Sequence, residues 1–199
     1  MKKLLSSILV FALLVVAILS FSSCGKYDEV TVRMTVKDYG TVDILLDGKS
    51  APITVKNFVR LVEDGFYDGL TFHRVVNEFM IQGGDPKGNG TGGSDPITGE
   101  FSENGIDNPI KHERGVISMA RRGDSYDSGS CQFFIVHKTS EANTEALDGK
   151  YAAFGHVIAG MEVIDKMIAD AQYANVYDEI ITGTVSNPCV IESIVVLED

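Results

Sequence analysis

One arginine stands in a run otherwise built for burial. In Thr71-Phe72-His73-Arg74-Val75-Val76 a permanently charged guanidinium interrupts a strand-like segment, and a charge among apolar neighbours is costly unless something pairs with it or makes use of it. Period-2 geometry predicts Phe72, Arg74 and Val76 on one strand face and His73 and Val75 on the other, so Arg74 is expected to point where Phe72 points. A second apolar run, Phe79-Met80-Ile81-Gln82, follows, and then a glycine-rich stretch, Gly88-Asn89-Gly90-Thr91-Gly92-Gly93. The chemistry on offer is a hydrogen-bond-donating cation beside apolar side chains.

Other chemistries are poorly supported. The glycine stretch matches G-x-G-x-x-G, but a dinucleotide site needs a helix opening directly after it, and Ser94-Asp95-Pro96 follows instead. His73, His112, His137 and His156 lack metal-ligand spacing and read as structural or solvated, so neither a metal nor another cofactor is expected. Asp124-Ser125-Tyr126-Asp127-Ser128 has oxygen ligands without the glycine and closing glutamate of a calcium loop. Ser118 and Ser130 lie outside G-x-S-x-G and show no partner arrangement that marks a triad. Three cysteines make no disulfide framework; Cys131 and Cys189 sit in strand-like surroundings and read as buried free thiols, with a Cys131–Cys189 disulfide as the alternative.

Six blocks in register point to a family. Phe72-His73-Arg74-Val75-Val76, Phe79-Met80-Ile81-Gln82-Gly83-Gly84-Asp85, Gly90-Thr91-Gly92-Gly93, Gly115-Val116-Ile117-Ser118-Met119-Ala120, Gln132-Phe133-Phe134-Ile135, and Leu147-Asp148-Gly149-Lys150 with Phe154-Gly155 together resemble the cyclophilin peptidyl-prolyl isomerases, from about Val30 to the C-terminus. The resemblance implies a mainly β fold, a closed eight-stranded antiparallel barrel capped by two α-helices, acting on proline-containing polypeptides. It implies Arg74 and Gln82 as catalytic residues, with Gln82 orienting Arg74. Phe79, Met80, Phe134 and Leu147 would enclose the proline, Ala120 and the backbone of Arg121 would pair with the peptide, and Gln132 and Tyr151 would complete the binding surface. Ala146 stands where many relatives carry tryptophan, a residue this chain lacks entirely; weak binding of cyclosporin is therefore expected.

The composition fits one ordinary domain behind an address. At 199 residues with 44% hydrophobic content the chain can bury a real core. Its formal charge of −11, two units more negative without Lys2 and Lys3, argues against nucleic-acid partners. Residues 1–23 read as a signal peptide: Lys2-Lys3, an apolar run from Leu4 to Phe21, then Ser22-Ser23. Cys24 is expected to be lipidated, as in a bacterial lipobox, although Phe21 replaces the usual leucine three positions before it. An uncleaved transmembrane anchor is the alternative. Residues 24–29 form a short tether reaching roughly 20 Å at about 3.5 Å per residue, and residues 30–199 form the isomerase domain. It is expected as a monomer at the outer face of the cytoplasmic membrane.

Periodicity supplies the elements that must position these residues. Val30 to Val36 and Val42 to Leu46 alternate around Asp38-Tyr39-Gly40 as a hairpin. Val55, Phe58, Val59 and Val62 predict a helix over Pro52–Asp64, ended by Gly65, and Val163, Ile164, Met167 and Ile168 predict a second over Met161–Ile168. Val116 to Ala120, Gln132 to Val136, Ala153 to Ile158 and Ile191 to Leu197 read as strands, and Asp170 to Asn187 as a loop.

Overall fold

A computed structural model describes residues 27–172 and 182–198; the leader and Cys24 lie outside the described residues. The N-terminal hairpin forms where alternation predicts it. Val30, Val32, Met34 and Val36 of β1 (Glu29–Val36) and Val42, Ile44 and Leu46 of β2 (Gly40–Asp47) are buried, and the turn uses positive φ at Asp38 (66°) and Gly40 (124°), residues that tolerate it.

Helix α1 (Pro52–Glu63) buries Val55, Phe58, Val59 and Val62. Its N-cap residue, Ala51, has no capping side chain. The carboxylate of Glu100 takes that role: Ile53 N donates to Oε1 at 2.9 Å, and Thr54 N and Oγ1 donate to Oε2 at 2.8 and 2.6 Å. An anion suits this place because the first N–H groups of a helix are unpaired and its dipole is positive there.

The remaining strands and α-helices are β3 (Thr71–Val76), β4 (Met80–Gly83), β5 (Val116–Met119), β6 (Phe133–Val136), α2 (Glu141–Leu147), β7 (Ala153–Ala159), α3 (Met161–Ala169) and β8 (Thr182–Val196). The eight strands close in the order β1-β2-β7-β5-β6-β4-β3-β8, with antiparallel pairing throughout. The expected barrel is therefore present. Helix α1 packs on β8 and α3 on β2, and Phe58, Tyr67, Phe72, Phe133 and Phe154 fill the interior with ring centroids 5.0–5.8 Å apart.

Three expectations need correction. The two expected helices are joined by a third, α2, which buries only Leu147 and so carries no apolar stripe to betray it; Ser140 caps it by accepting from Asn143 N. Part of the expected loop Asp170–Asn187 is strand: Thr182, Gly183 and Thr184 pair with Val76, Val75 and Arg74, while residues 173–181 lie outside the described ones. Finally, Arg74 does not share a face with Phe72. The β3–β8 register shifts between Phe72 and Arg74, where β8 bulges from Cys189 to Thr184, and strict period-2 alternation fails at such an irregularity. Phe72 and Val75 join the barrel core, whereas Val76 packs in a separate apolar cluster.

Replacing Glu100 with alanine strands the α1 N–H groups in a buried position. Urea unfolding should show a loss of about 3 kcal/mol, and an unchanged midpoint would mean water caps the helix instead.

Candidate active site

The strand register outside the barrel builds one row of side chains. Arg74 lies opposite Gln82, Gln82 opposite Phe134, Phe134 opposite Ser118, and Ser118 opposite Ala153. In the next row Val76 faces Met80 and Met80 faces Val136. Cross-strand neighbours share a face, so the polar pair Arg74–Gln82 abuts an apolar patch.

That patch is an apolar cluster distinct from the barrel core. Met80, Phe134 and Leu147 are buried in it, with Phe79, Ala120 and Tyr151 partly buried against it. Phe79 stands in the β3–β4 turn, where Glu78 has φ of 60° and Phe79 O accepts from His137 N at 2.8 Å. Leu147 ends α2, and Tyr151 meets Phe134 edge to face at 5.8 Å. Every apolar residue expected to enclose the proline thus falls in one cluster, while Ala146 is exposed.

A polar chain runs along its border. Arg74 Nη1 donates to Gln82 Oε1 at 3.0 Å, Gln82 Nε2 to Gln132 Oε1 at 2.9 Å, and Gln132 Nε2 to the carbonyls of Gly92 and Gly90 at 2.8 and 3.2 Å. Burial of the guanidinium by its surroundings lowers the pKa of Arg74, with Tyr151 acting weakly in the opposite direction; arginine remains charged regardless. No carboxylate forms an ion pair with Arg74 among the described residues. Its charge is therefore free to face a ligand. Beside the chain opens a cleft of about 590 Å³ between the glycine loop and residues 120–128. Ala120 N donates to Gln132 O at 2.9 Å, and among the described residues nothing takes up the N–H or C=O of Arg121.

The glycine loop folds around its own anion. Asp85 accepts from the backbone N–H of Lys87 at 2.8 Å, Asn89 at 3.0 Å and Gly90 at 2.5 Å, and a Cβ on Gly92 would fall on its Oδ1. Burial alone would raise the Asp85 pKa, but these bonds outweigh it and hold it low. The amides that could have cradled a phosphate are occupied.

Sequence reasoning missed one constellation. His112 Nε2 lies 2.9 Å from Ser118 Oγ and His112 Nδ1 lies 2.9 Å from Asp148 Oδ1, an arrangement that the sequence around Ser118 does not mark. No local motif announces it, since Asp148 is 36 residues from His112. Ser118 has no exposed surface and His112 only 1%, so no substrate reaches the hydroxyl. The chain is a brace instead: His112 stacks on Phe134 at 6.1 Å and Asp148 follows Leu147, joining two walls of the apolar cluster from behind. Cys131 is free and buried; Cys189 is free but only half-buried. Among the described residues no three of His, Cys, Asp and Glu converge as metal ligands.

The barrel, the apolar cluster and the arginine beside it define an enzyme of the class that handles proline-containing peptides. Residues 31–196 match the family described as cyclophilin type peptidyl-prolyl cis-trans isomerase/CLD. The chain belongs to this family and is an isomerase. It is 38% identical over 170 residues to peptidyl-prolyl cis-trans isomerase A of Dickeya dadantii, covering 85% of this chain and 87% of that one. It is 43% identical over 132 residues to peptidyl-prolyl cis-trans isomerase B of Bacillus subtilis, covering 66% and 86%. Against the peptidyl-prolyl cis-trans isomerase-like 2 protein of Rhizopus delemar it is 39% identical over 143 residues, 71% of this chain but only 26% of that longer one. Among solved structures, a Cryptosporidium parvum cyclophilin superposes with a TM-score of 0.72 at 28% identity, covering 86% of this chain and 99% of that one. The same protein solved in the presence of the dipeptide Ala-Pro gives 0.70 at 28% identity, covering 85% and 99%.

Acid should weaken this fold in two steps. Burial lowers the pKa of His73, His112 and His137 below the ordinary 6.5, and the opposing pull of Asp85, Asp148 and Asp165 does not overcome it. The unfolded chain therefore binds more protons than the folded one as pH falls through 6.5, and stability falls with it. Asp85 and Asp148, held below the usual 3.8 in the fold, add a second loss below that pH. Urea midpoints followed downward from neutral pH check the sequence of losses; a midpoint flat across 6.5 contradicts the histidine contribution.

Proposed function

We propose that this chain is a membrane-tethered isomerase that accelerates rotation of X-Pro bonds in exported proteins folding near the membrane surface, with Arg74 stabilising the twisted imide. The observation that carries the reading is a guanidinium without an ion pair among the described residues, bonded to neutral Gln82 at 3.0 Å beside a closed apolar cluster.

Rotation about the X-Pro bond must give up amide resonance, a barrier of about 18–20 kcal/mol, and no bond has to break. Phe79, Met80, Phe134 and Leu147 hold the proline ring while the Ala120–Arg121 backbone pairs with the extended peptide. As the bond twists, the imide nitrogen lone pair leaves conjugation and becomes a better acceptor. Arg74 donates to it more strongly there than in either ground state, which is the condition for catalysis. Gln82, fixed by Gln132, aims the guanidinium. An acceleration of about 10⁵ requires roughly 7 kcal/mol, which orientation and one well-aimed cation can divide between them.

The export address supports the cellular part of the reading. Cys24 after Ser22-Ser23 serves as the lipid-bearing residue, and residues 24–29 keep the monomeric domain close to the outer face of the cytoplasmic membrane. With the full-length chain in mild detergent, a proline tetrapeptide should isomerise rapidly, and Arg74→Ala should lower kcat about 10²–10³-fold without unfolding the protein. A parent that binds the peptide yet turns it over no faster than buffer would make the chain a binding module instead. In cells, Cys24→Ala should abolish lipid labelling and release the domain from membranes; retention without a lipid identifies an uncleaved anchor.

A further inference from the structure

Arg121 enters the reading above only through its backbone, yet its side chain is packed among three aromatic rings. Its guanidinium carbon lies 5.3 Å from the ring centre of Phe101, 5.0 Å from that of Tyr126 and 4.7 Å from that of Tyr151. Nε donates to Lys150 O at 2.7 Å and Nη1 to Arg122 O at 2.8 Å. Three rings and two carbonyls suit a flat, delocalised cation and its fixed fork of donors. No carboxylate forms an ion pair with it among the described residues.

The three rings come from three separate segments. Phe101 lies in the long connection between β4 and β5, Tyr126 in the connection between β5 and β6, and Tyr151 after α2. Further bonds fix two of these segments to each other: Tyr126 Oη donates to Glu103 Oε2 at 2.9 Å, and Asp127 Oδ1 accepts from Gly99 N and Asn104 Nδ2 at 2.9 Å each. Tyr151 in turn meets Phe134 in the apolar cluster. Residues 120–122 and 127–128 line the 590 Å³ cleft. One guanidinium thus joins the rim of the apolar socket to the wall of the neighbouring cleft.

We infer that Arg121 is a positioning residue for substrate: its caged guanidinium sets the distance between the proline socket and the cleft that receives adjoining residues of the peptide, and holds the Ala120–Arg121 backbone extended for pairing. No hydrogen bond joins the caged guanidinium to the Arg74–Gln82–Gln132 chain, so it governs binding of the peptide and not rotation of the bound imide. This inference rests on the groove assigned above.

The test compares kcat and KM for a proline tetrapeptide in the full-length parent, Arg74→Ala, Arg121→Lys and Arg121→Gly. Lysine keeps the charge but lacks the plane and the fork; glycine empties the cage. Both should raise KM about tenfold with kcat close to the parent's, and millimolar guanidinium should lower the KM of Arg121→Gly while leaving the parent unchanged. Should Arg121→Gly not fold, Arg121→Lys decides alone. A folded Arg121→Lys with the parent's KM, a loss confined to kcat, or a KM in Arg121→Gly that guanidinium does not move overturns the role of Arg121. Full activity in Arg74→Ala overturns the groove assignment itself.

Discussion

The bulge of β8 opposite β3 is the constraint from which the site follows. A regular strand would commit Phe72, Arg74 and Val76 to one face, and one of two costs would follow: a guanidinium in the barrel core, or phenylalanine and valine in water. The register shift against β8 between Phe72 and Arg74 removes the conflict. Phe72 and Val75 stay with the core and Arg74 and Val76 turn outward, so one six-residue strand serves the barrel on one side and the site on the other. The partner across the ladder completes the arrangement, because Arg74 faces Gln82 directly.

Carboxylates then organise what the strands do not. Glu100 ends α1, Asp85 gathers the glycine loop, and Asp148 anchors His112. Their partners are backbone amides, the Thr54 hydroxyl, the His112 imidazole and Lys111, within a loop-rich half of the molecule where few ladder bonds are available. None of them reaches Arg74 or Arg121. In a chain with formal charge −11, leaving two cations in the groove wall free of ion pairs requires the nearby acids to be occupied elsewhere, and these internal uses achieve it.

Legibility in the sequence followed physical cause. The hairpin, α1 and α3 were readable because each buries a stripe at its own period: Val42, Ile44 and Leu46 at period 2, and Val55, Phe58, Val59 and Val62 at helical spacing. Strand number and the socket residues were readable only through family resemblance, since Met80 or Phe134 taken alone looks like any core residue. Helix α2 was not readable, because a seven-residue helix with one buried side chain leaves no periodic trace. Nor was the bulge, which is decided by what β8 offers over a hundred residues away in sequence. The His112 brace and the Arg121 cage share that cause: both depend on partners brought together by barrel closure, and no local pattern encodes them.

Separation of the socket from the barrel interior has a consequence for how the two can vary. The core cluster closes around Phe58, Phe133 and Phe154, while the socket cluster leans on the outer face and on α2. Adjacent residues of β6 divide between them: Phe133 faces the rings inside, and Phe134 faces Tyr151 and His112 outside. A change on the outside therefore disturbs few interior contacts, because packing losses are local to the atoms removed. Ala146 fits this division: it is exposed while Leu147 beside it is buried in the socket cluster, and the residues expected to enclose a proline do not include it.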